Sequence, residues 1–287
     1  TAQDLNSFNL NDEFSTINED NSLLQRKKKI LLISEASLYS VSLLALNQLW
    51  YANYQRSSFH FINDNNEWLQ MDKMGHVTTS YYLGVTGIKA YKWAGFTRKE
   101  AIWYGGMTGS FFLTIIEILD GTSKEWGASA GDLLANTTGS FLAIRQALSW
   151  NEQRVQLKYS YSTTKWALQN PNQLGSNYLE RALKDYNGQT YWFTFNIKSL
   201  FDIEIEHFPK WFSLAFGYSG SSMINPSPKL EDNRYRQYYF SFDIDLNKIK
   251  TKNSVLNSIL HTIGFLKFPL PTLEFSNGNI FFHPLYY

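Results

Sequence analysis

Asp72, Lys73 and His76 stand together in the stretch Asp72-Lys73-Met74-Gly75-His76. Glu117-x-x-Asp120-Gly121 follows, and then Gly131-Asp132-Leu133-Leu134-Ala135-Asn136. Carboxylates around an imidazole can ligate a divalent cation. They can also form a general acid–base pair in which a neighbouring carboxylate tunes the histidine. A third possibility is purely structural. Lys73 or His76 pairs with Glu117 or Asp132, Asn136 bonds across helices, and the polar groups hold a bundle in register by satisfying one another. The balance falls on the structural network of Asp72, Lys73, His76, Glu117, Asp120, Asp132 and Asn136. Only one histidine lies in these motifs, and no serine, cysteine or glycine-rich loop stands out as a nucleophile or phosphate cradle. For a catalytic centre the candidates are Asp72, His76, Glu117, Asp120 and Asp132; no metal or cofactor is assigned.

The spacing says which elements must position these groups. Asp72 and His76 are four residues apart, Glu117 and Asp120 three, Asp132 and Asn136 four, so each pair shares one face of a helix. Three helices are therefore expected to present polar pairs to one another. The first of these three runs from about Glu67 to Trp93, with Gly75, Thr79, Gly84 and Gly87 suited to close packing. The next starts at the capping box Thr97-Arg98-Lys99-Glu100 and runs to about Leu119, carrying Gly105 and Gly109 in a G-x-x-x-G arrangement. After a turn locked by Glu125 and Trp126, Ser129 is placed to cap a helix ending near Leu148. Ahead of them all, Lys27-Lys28-Lys29 precedes the mostly apolar run Ile30–Tyr51, whose length of about 20 residues suits a bilayer. The lysines and Trp50-Tyr51 are placed as interfacial anchors; a buried core helix is the alternative. Glu35 in that run needs a partner. Residues 1–26, rich in Asn, Asp and Ser, are expected to form an extended arm, with Phe8, Leu10, Phe14 and Ile17 able to dock it.

Beyond residue 150 the hydrophobic period changes from helical to alternating. Val155, Leu157, Tyr159 and Tyr161 interleave with polar residues. Similar runs occupy 189–197, 211–218, 235–246, 273–275 and 280–287, and their aromatic and β-branched content reads as strands. A helix at 255–266 interrupts them, and Pro284 breaks the last alternation. The fold class is therefore α+β: a bundle of about four helices, expected to be membrane-associated, over 27–150, then an antiparallel, open or partial-barrel sheet of five or six strands over 151–287. Aromatic residues on both sides of several strands lead us to expect helices on one face and lipid or a partner on the other. An independent barrel needs at least eight strands, so the sheet must lean on something else.

The chain of 287 residues carries net charge +1, which excludes nucleic-acid binding by bulk electrostatics. Charged residues make up 18% and aromatics 17%, an aromatic share suited to membrane interfaces and outer-membrane strands. With no cysteine, disulfides and thiolate metal sites are excluded. Thr1-Ala2-Gln3-Asp4 reads as the start of a mature exported chain after signal-peptide removal, and no N-terminal cysteine is available for a lipid anchor. The histidines His60, His207, His261 and His283 are scattered and read as ordinary surface or core residues. Tyr191-Trp192-Phe193 and Tyr238-Tyr239-Phe240 could stack sugars but fit strand packing or lipid contact better.

The ordered motifs Asp72-Lys73-x-Gly75-His76, Glu117-x-x-Asp120-Gly121 and Gly127-x-Ser129-x-Gly131-Asp132-x-x-Ala135-Asn136-x-x-Gly139 resemble the YfiM-like "predicted periplasmic lipoprotein" family, domain of unknown function 2279. Trp50-Tyr51, Phe59 to Phe61, Asp64 and Glu67-Trp68 look like the Bacteroidota version. The likeness covers roughly residues 45–145 and continues more loosely through Asp185-Tyr186-Asn187-Gly188-Gln189-Thr190-Tyr191-Trp192. A shorter D-K-x-x-H and D-x-x-A-N-x-x-G echo is similar to VanZ-like membrane proteins. The resemblance implies an exported, envelope-located protein and carries no activity. The expectation is a non-enzymatic outer-membrane or periplasmic subunit of a larger complex, such as assembly or secretion machinery. Its partners would be outer-membrane or periplasmic proteins and membrane lipid, not nucleic acid. The alternatives are an intramembrane hydrolase or transferase on a lipid or cell-wall precursor, and a headgroup-binding module.

Overall fold

A computed structural model describes residues 10–52, 54–201, 208–228 and 233–286, with side chains of helical residues 10–20, 49 and 50 left aside. Helix α1 spans Leu10–Leu46 and ends in one wider turn, Asn47–Tyr51. Residues 10–26 are thus helical, not an extended arm. No glycine or proline interrupts 10–46. A polar helix exposed to water has the same composition as an arm. Phe8 lies outside the described residues. Leu31 packs into a small core with Tyr91, Ala94 and Ala101, while Leu32, Ile33, Leu38, Val41 and Leu44 are exposed. Glu35 finds its partners, accepting from the hydroxyls of Tyr39 at 3.1 Å and Tyr91 at 3.0 Å.

Three helices form the bundle: α2, Met71–Trp93; α3, Arg98–Gly121, with a wider turn at Ala101–Gly105; and α4, Ala130–Trp150. The Thr97/Glu100 capping box starts α3: Thr97 Oγ1 accepts from the Glu100 amide, and Glu100 accepts from the Thr97 amide at 2.9 Å. Gly109 lets α3 touch α2 backbone to backbone; a Cβ there would lie 2.2 Å from the Ser80 carbonyl oxygen. Tyr81, Ile88, Ile102, Ala143 and Ile144 fill the space between helices, joined by Leu157 from the sheet. Two short parallel strands, β1 (Phe61–Ile62) and β2 (Ala128–Ser129), tie the loop before α2 to the loop before α4.

Ahead of α2 the chain makes a tight turn, Glu67–Gln70, in which Trp68, Leu69 and Gln70 all have left-handed backbones, φ 46°, 52° and 64°. None is glycine, and each such residue costs on the order of 1–2 kcal/mol. Contacts from the sheet side hold the turn. The Trp68 amide donates to the Pro226 carbonyl at 3.0 Å, Tyr218 Oη donates to the Leu69 carbonyl, and Arg236 donates to Gln70 Oε1 at 2.7 Å.

The sheet comprises β3 (Val155–Tyr161), β4 (Gln189–Asn196), β5 (Phe212–Ser221), β6 (Tyr235–Ile244), β7 (Leu270–Ser276) and β8 (Asn279–Tyr286). They follow one another in sequence order, antiparallel throughout, and the sheet stays open. A short helix, α5 (Tyr178–Lys184), lies between β3 and β4, and α6 (Ser254–Ile263) between β6 and β7. The free edge of β3 is met by residues 265–267: Tyr159 N–H donates to the Phe265 carbonyl and Lys267 N–H to the Tyr159 carbonyl, both at 2.9 Å. Pro284 sits inside β8, an edge strand, where a missing amide donor is tolerated.

The faces differ from the expected arrangement. Register aligns Leu157, Phe193, Phe216, Phe240, Leu273 and Phe282 into one apolar row. The adjacent row is Gln156, Thr194, Ala215, Ser241, Thr272 and His283. The helices cover the β3–β4 end of the apolar face itself, where Tyr81 Oη donates to the Val155 carbonyl at 3.2 Å and Tyr82 Oη to that of Leu157. Over β5–β8 that same face is exposed. The opposite face is the mainly polar one and is buried: Lys158 pairs with Asp243 at 2.6 Å, and both are fully inaccessible. Lys267 approaches Asp243 to 3.8 Å and lies over the Trp192 ring.

Candidate functional site

Each polar pair arrives at one place because each sits at the end of a helix where the three helices converge. Asp72, Lys73 and His76 occupy the first turns of α2, Glu117 the last turns of α3, and Asp132 and Asn136 the first turns of α4. Ser129 caps α4 by accepting from the Asp132 amide at 3.1 Å, which fixes where that helix begins. The Glu117 carboxylate reaches across and accepts the Ser129 amide at 2.9 Å.

Lys73 Nζ is the hub. It lies 2.6 Å from Asp64, 2.8 Å from Asp132 Oδ1 and 3.3 Å from Asp72 Oδ2; its directed bond to Asp132 goes to Oδ2 at 2.9 Å. His76 is bracketed differently. Its Nδ1 is 2.9 Å from Asn136 Oδ1, while Nε2 faces Asp72 Oδ1 at 3.7 Å and Asp132 Oδ1 at 3.9 Å. The Tyr186 hydroxyl donates to Asp72 Oδ1 at 2.7 Å. Glu117 Oε1 stands 3.9 Å from His76 Nδ1 and accepts no hydrogen bond.

Charge follows from these contacts. Burial pulls the Lys73 ammonium down, but the carboxylates of Asp72 and Asp132 outweigh it and its pKa rises. Burial likewise opposes the charged His76 ring, and Asp72, Asp132 and Glu117 together push its pKa above 6.5. Burial raises the Asp132 carboxyl and Asp72 adds to this, against the pull of His76 and Lys73; the net is upward, to about 8. In Asp64 burial is overcome by its bonds from Lys73 and Ser129, and its pKa falls. Four carboxylates thus crowd two basic groups, with anionic charge in excess around His76.

The structure brings Asp72, Lys73, His76, Glu117, Asp132 and Asn136 into one cluster. Asp120 lies at its edge and turns away, accepting the Tyr51 hydroxyl at 2.5 Å. Sequence reasoning left three participants out of the network. Asp64 binds Lys73 and accepts from Ser129 Oγ at 2.6 Å; Tyr186 bonds Asp72; Tyr51 bonds Asp120. Asp64 and Tyr186 did fall within the motif likeness, which was the available signal. Glu125-Trp126 behaves as a turn element, with the Trp126 ring edge-on to Tyr51 and Tyr54. The other histidines are elsewhere: His60 beside Ser57 and Ser58, His261 on Asn247, His283 on Glu274. His207 lies outside the described residues. Tyr191 and Trp192 are buried in the sheet, whereas Tyr238 is exposed.

A helical bundle with a polar, ion-paired centre, seated on an open antiparallel sheet that exposes aromatic side chains, defines the class of this α+β protein. Residues 59–147, which contain the whole cluster except Tyr51 and Tyr186, match the family described as predicted periplasmic lipoprotein, domain of unknown function 2279. The description supports an exported, envelope location. Comparison with curated proteins and with solved structures gave no match.

Proposed function

We propose that the protein is a non-enzymatic subunit of an envelope assembly, held at the outer membrane or its periplasmic face by the aromatic side of its sheet. One observation carries this reading. Phe216, Tyr238, Phe242, Phe275, Ile280 and Phe282 are each more than a third exposed on β5–β8, while the opposite face of the same strands buries aspartate, glutamate, serine and threonine. Water-soluble sheets place their apolar face inward; apolar-out and polar-in is the alternation of strands that meet lipid or a membrane partner. The exposed leucines and isoleucines of α1 extend the apolar surface. In this reading the cluster around Lys73 and His76 is the lock of the bundle. Ser129 serves as a helix cap and as a donor to Asp64, which favours a structural role for it over that of a nucleophile.

The test is purification of the tagged full chain from native membranes in mild detergent. The expected result is co-elution with envelope proteins and lipid at a mass well above the 33.3 kDa of one chain. Recovery of a lone monomer that stays soluble without detergent would refute the proposal.

A further inference from the structure

The geometry points to a binding site for a single first-row divalent cation, ligated by Asp72 Oδ1, His76 Nε2 and Asp132 Oδ1. This inference does not depend on the proposed envelope role. The three ligand atoms lie within 4.8 Å of one another, with the imidazole nitrogen 3.7 and 3.9 Å from the two oxygens. Two bonds of about 2.1 Å meeting at a tetrahedral angle place their ligand atoms about 3.4 Å apart. Closing the gap takes a few tenths of an ångström between the imidazole nitrogen and each oxygen, and at most about 1.4 Å between the two oxygens.

Three further features mark a built site rather than a crowd of acids. First, Nδ1 of His76 is engaged by the Asn136 carbonyl oxygen. A proton held there leaves the lone pair on Nε2, the nitrogen that faces the carboxylates, which is how an outer hydrogen bond orients a ligating histidine. Second, Asp132 Oδ1 and Glu117 Oε1 are deeply buried, with side chains 5% and 3% exposed, and neither accepts a directed hydrogen bond. Oδ1 of Asp132 has an ion contact with Lys73, but the directed bond of that ammonium goes to Oδ2. The same oxygen lies 3.9 Å from His76 Nε2. Third, Lys73, which lies 2.8 Å from Asp132 Oδ1 and 3.3 Å from Asp72 Oδ2, is itself neutralised by Asp64 at 2.6 Å. With their carboxylates ionised, Asp64, Asp72, Glu117 and Asp132 outweigh Lys73, so a dication lowers the net charge of the group instead of overcharging it.

The donor set names the class of ion. One imidazole and two carboxylates, without sulfur, suit Zn²⁺ or Mn²⁺ better than Cu⁺ or an all-oxygen Ca²⁺ cage. Water can complete the shell, because the Asp72 and His76 side chains remain 24% and 17% exposed. Tyr186, whose hydroxyl holds Asp72, also lines a cleft of about 490 Å³ with Trp68, Trp126 and Glu180.

The test uses the detergent-solubilised full chain, stripped with a chelator and titrated with ZnCl₂ and MnCl₂, with MgCl₂ and CaCl₂ as comparators. The expected result is uptake of one Zn²⁺ or Mn²⁺ per chain. At a hundredfold excess over Kd, that ion should shift the unfolding equilibrium about 100-fold towards the folded state. His76→Gln and Asp132→Asn should abolish both effects. Should either variant fail to fold, X-ray absorption on the zinc-loaded wild type decides: a shell of one nitrogen and two or more oxygens at about 2.0–2.2 Å supports the site. Absence of uptake, uptake that His76→Gln leaves unchanged (an adventitious ion only), or a shell without imidazole would overturn it.

Discussion

Asp243 is the residue on which the buried face of the sheet depends most. It is fully inaccessible, receives Lys158 at 2.6 Å and lies 3.8 Å from Lys267, also inaccessible. Asp243→Asn keeps the shape and leaves an acceptor for the Phe268 amide, which donates to Asp243 Oδ1 at 3.2 Å. It removes the only carboxylate paired with either ammonium among the described residues. Stranding a buried charge costs roughly 3–5 kcal/mol. Here each lysine keeps a carbonyl partner, Lys158 on Ile244 and Lys267 on Phe268, both at 2.8 Å, so the lower end, about 3 kcal/mol, is expected. Lys158→Met in the Asp243→Asn background should recover part of that loss, with a coupling of about 1–3 kcal/mol in the double-mutant cycle. Denaturant unfolding in detergent, followed by tryptophan fluorescence, reads both quantities, since Trp192 lies beside Lys267. A loss below about 0.5 kcal/mol, with no coupling, would mean that water reaches the polar face and screens the ions, and the reasoning would be wrong.

Gly109→Ala places a methyl 2.2 Å from the Ser80 carbonyl oxygen and should destabilise the bundle by about 1–3 kcal/mol; thermal melts unchanged from wild type would contradict the close α2–α3 contact. Phe216→Asp together with Phe242→Asp should leave the fold intact and weaken sedimentation with membranes, measured by flotation. In the chelator-treated protein, the raised pKa of His76 makes its contribution to stability complete below pH 6.5 and lost as pH rises through the folded-state value. His76→Gln should flatten that part of the pH–stability curve, and an unchanged curve would count against the charged imidazole.

Much of the cluster was legible because it depends on local periodicity. Asp72 with His76, and Asp132 with Asn136, needed only the helical rise to share a face, and small residues such as Gly109 announced that the helices come close. Asp64 and Tyr186 were not placed in the network because loops deliver them, and Tyr51 because it comes from the far end of α1; no spacing rule links residue 72 to residue 186. The six strands were legible from alternation, but not which face would be buried. Alternation fixes that Phe216 and Gly217 point apart; whether the aromatic side looks inward is decided by curvature and by what covers it. The polar stretch 10–26 was read as an extended arm because its composition suits solvent, and a solvated helix suits solvent equally well.

The left-handed turn at Trp68–Gln70 has a consequence for how the two halves communicate. Three non-glycine residues are held in an unfavourable conformation by Tyr218 and Arg236 from the sheet and by Pro226 from the loop between β5 and β6, and α2 begins at the very next residue. If those contacts are withdrawn, the turn relaxes, and the first residues to move are Met71, Asp72 and Lys73. The cluster is therefore assembled only while the sheet is in place. Anything that bends or docks on β5 and β6 is therefore coupled through this turn to the contacts among Lys73, Asp72 and His76, some 150 residues away in sequence. Folding should proceed with the bundle's first turn completed last, as a report that the sheet has formed.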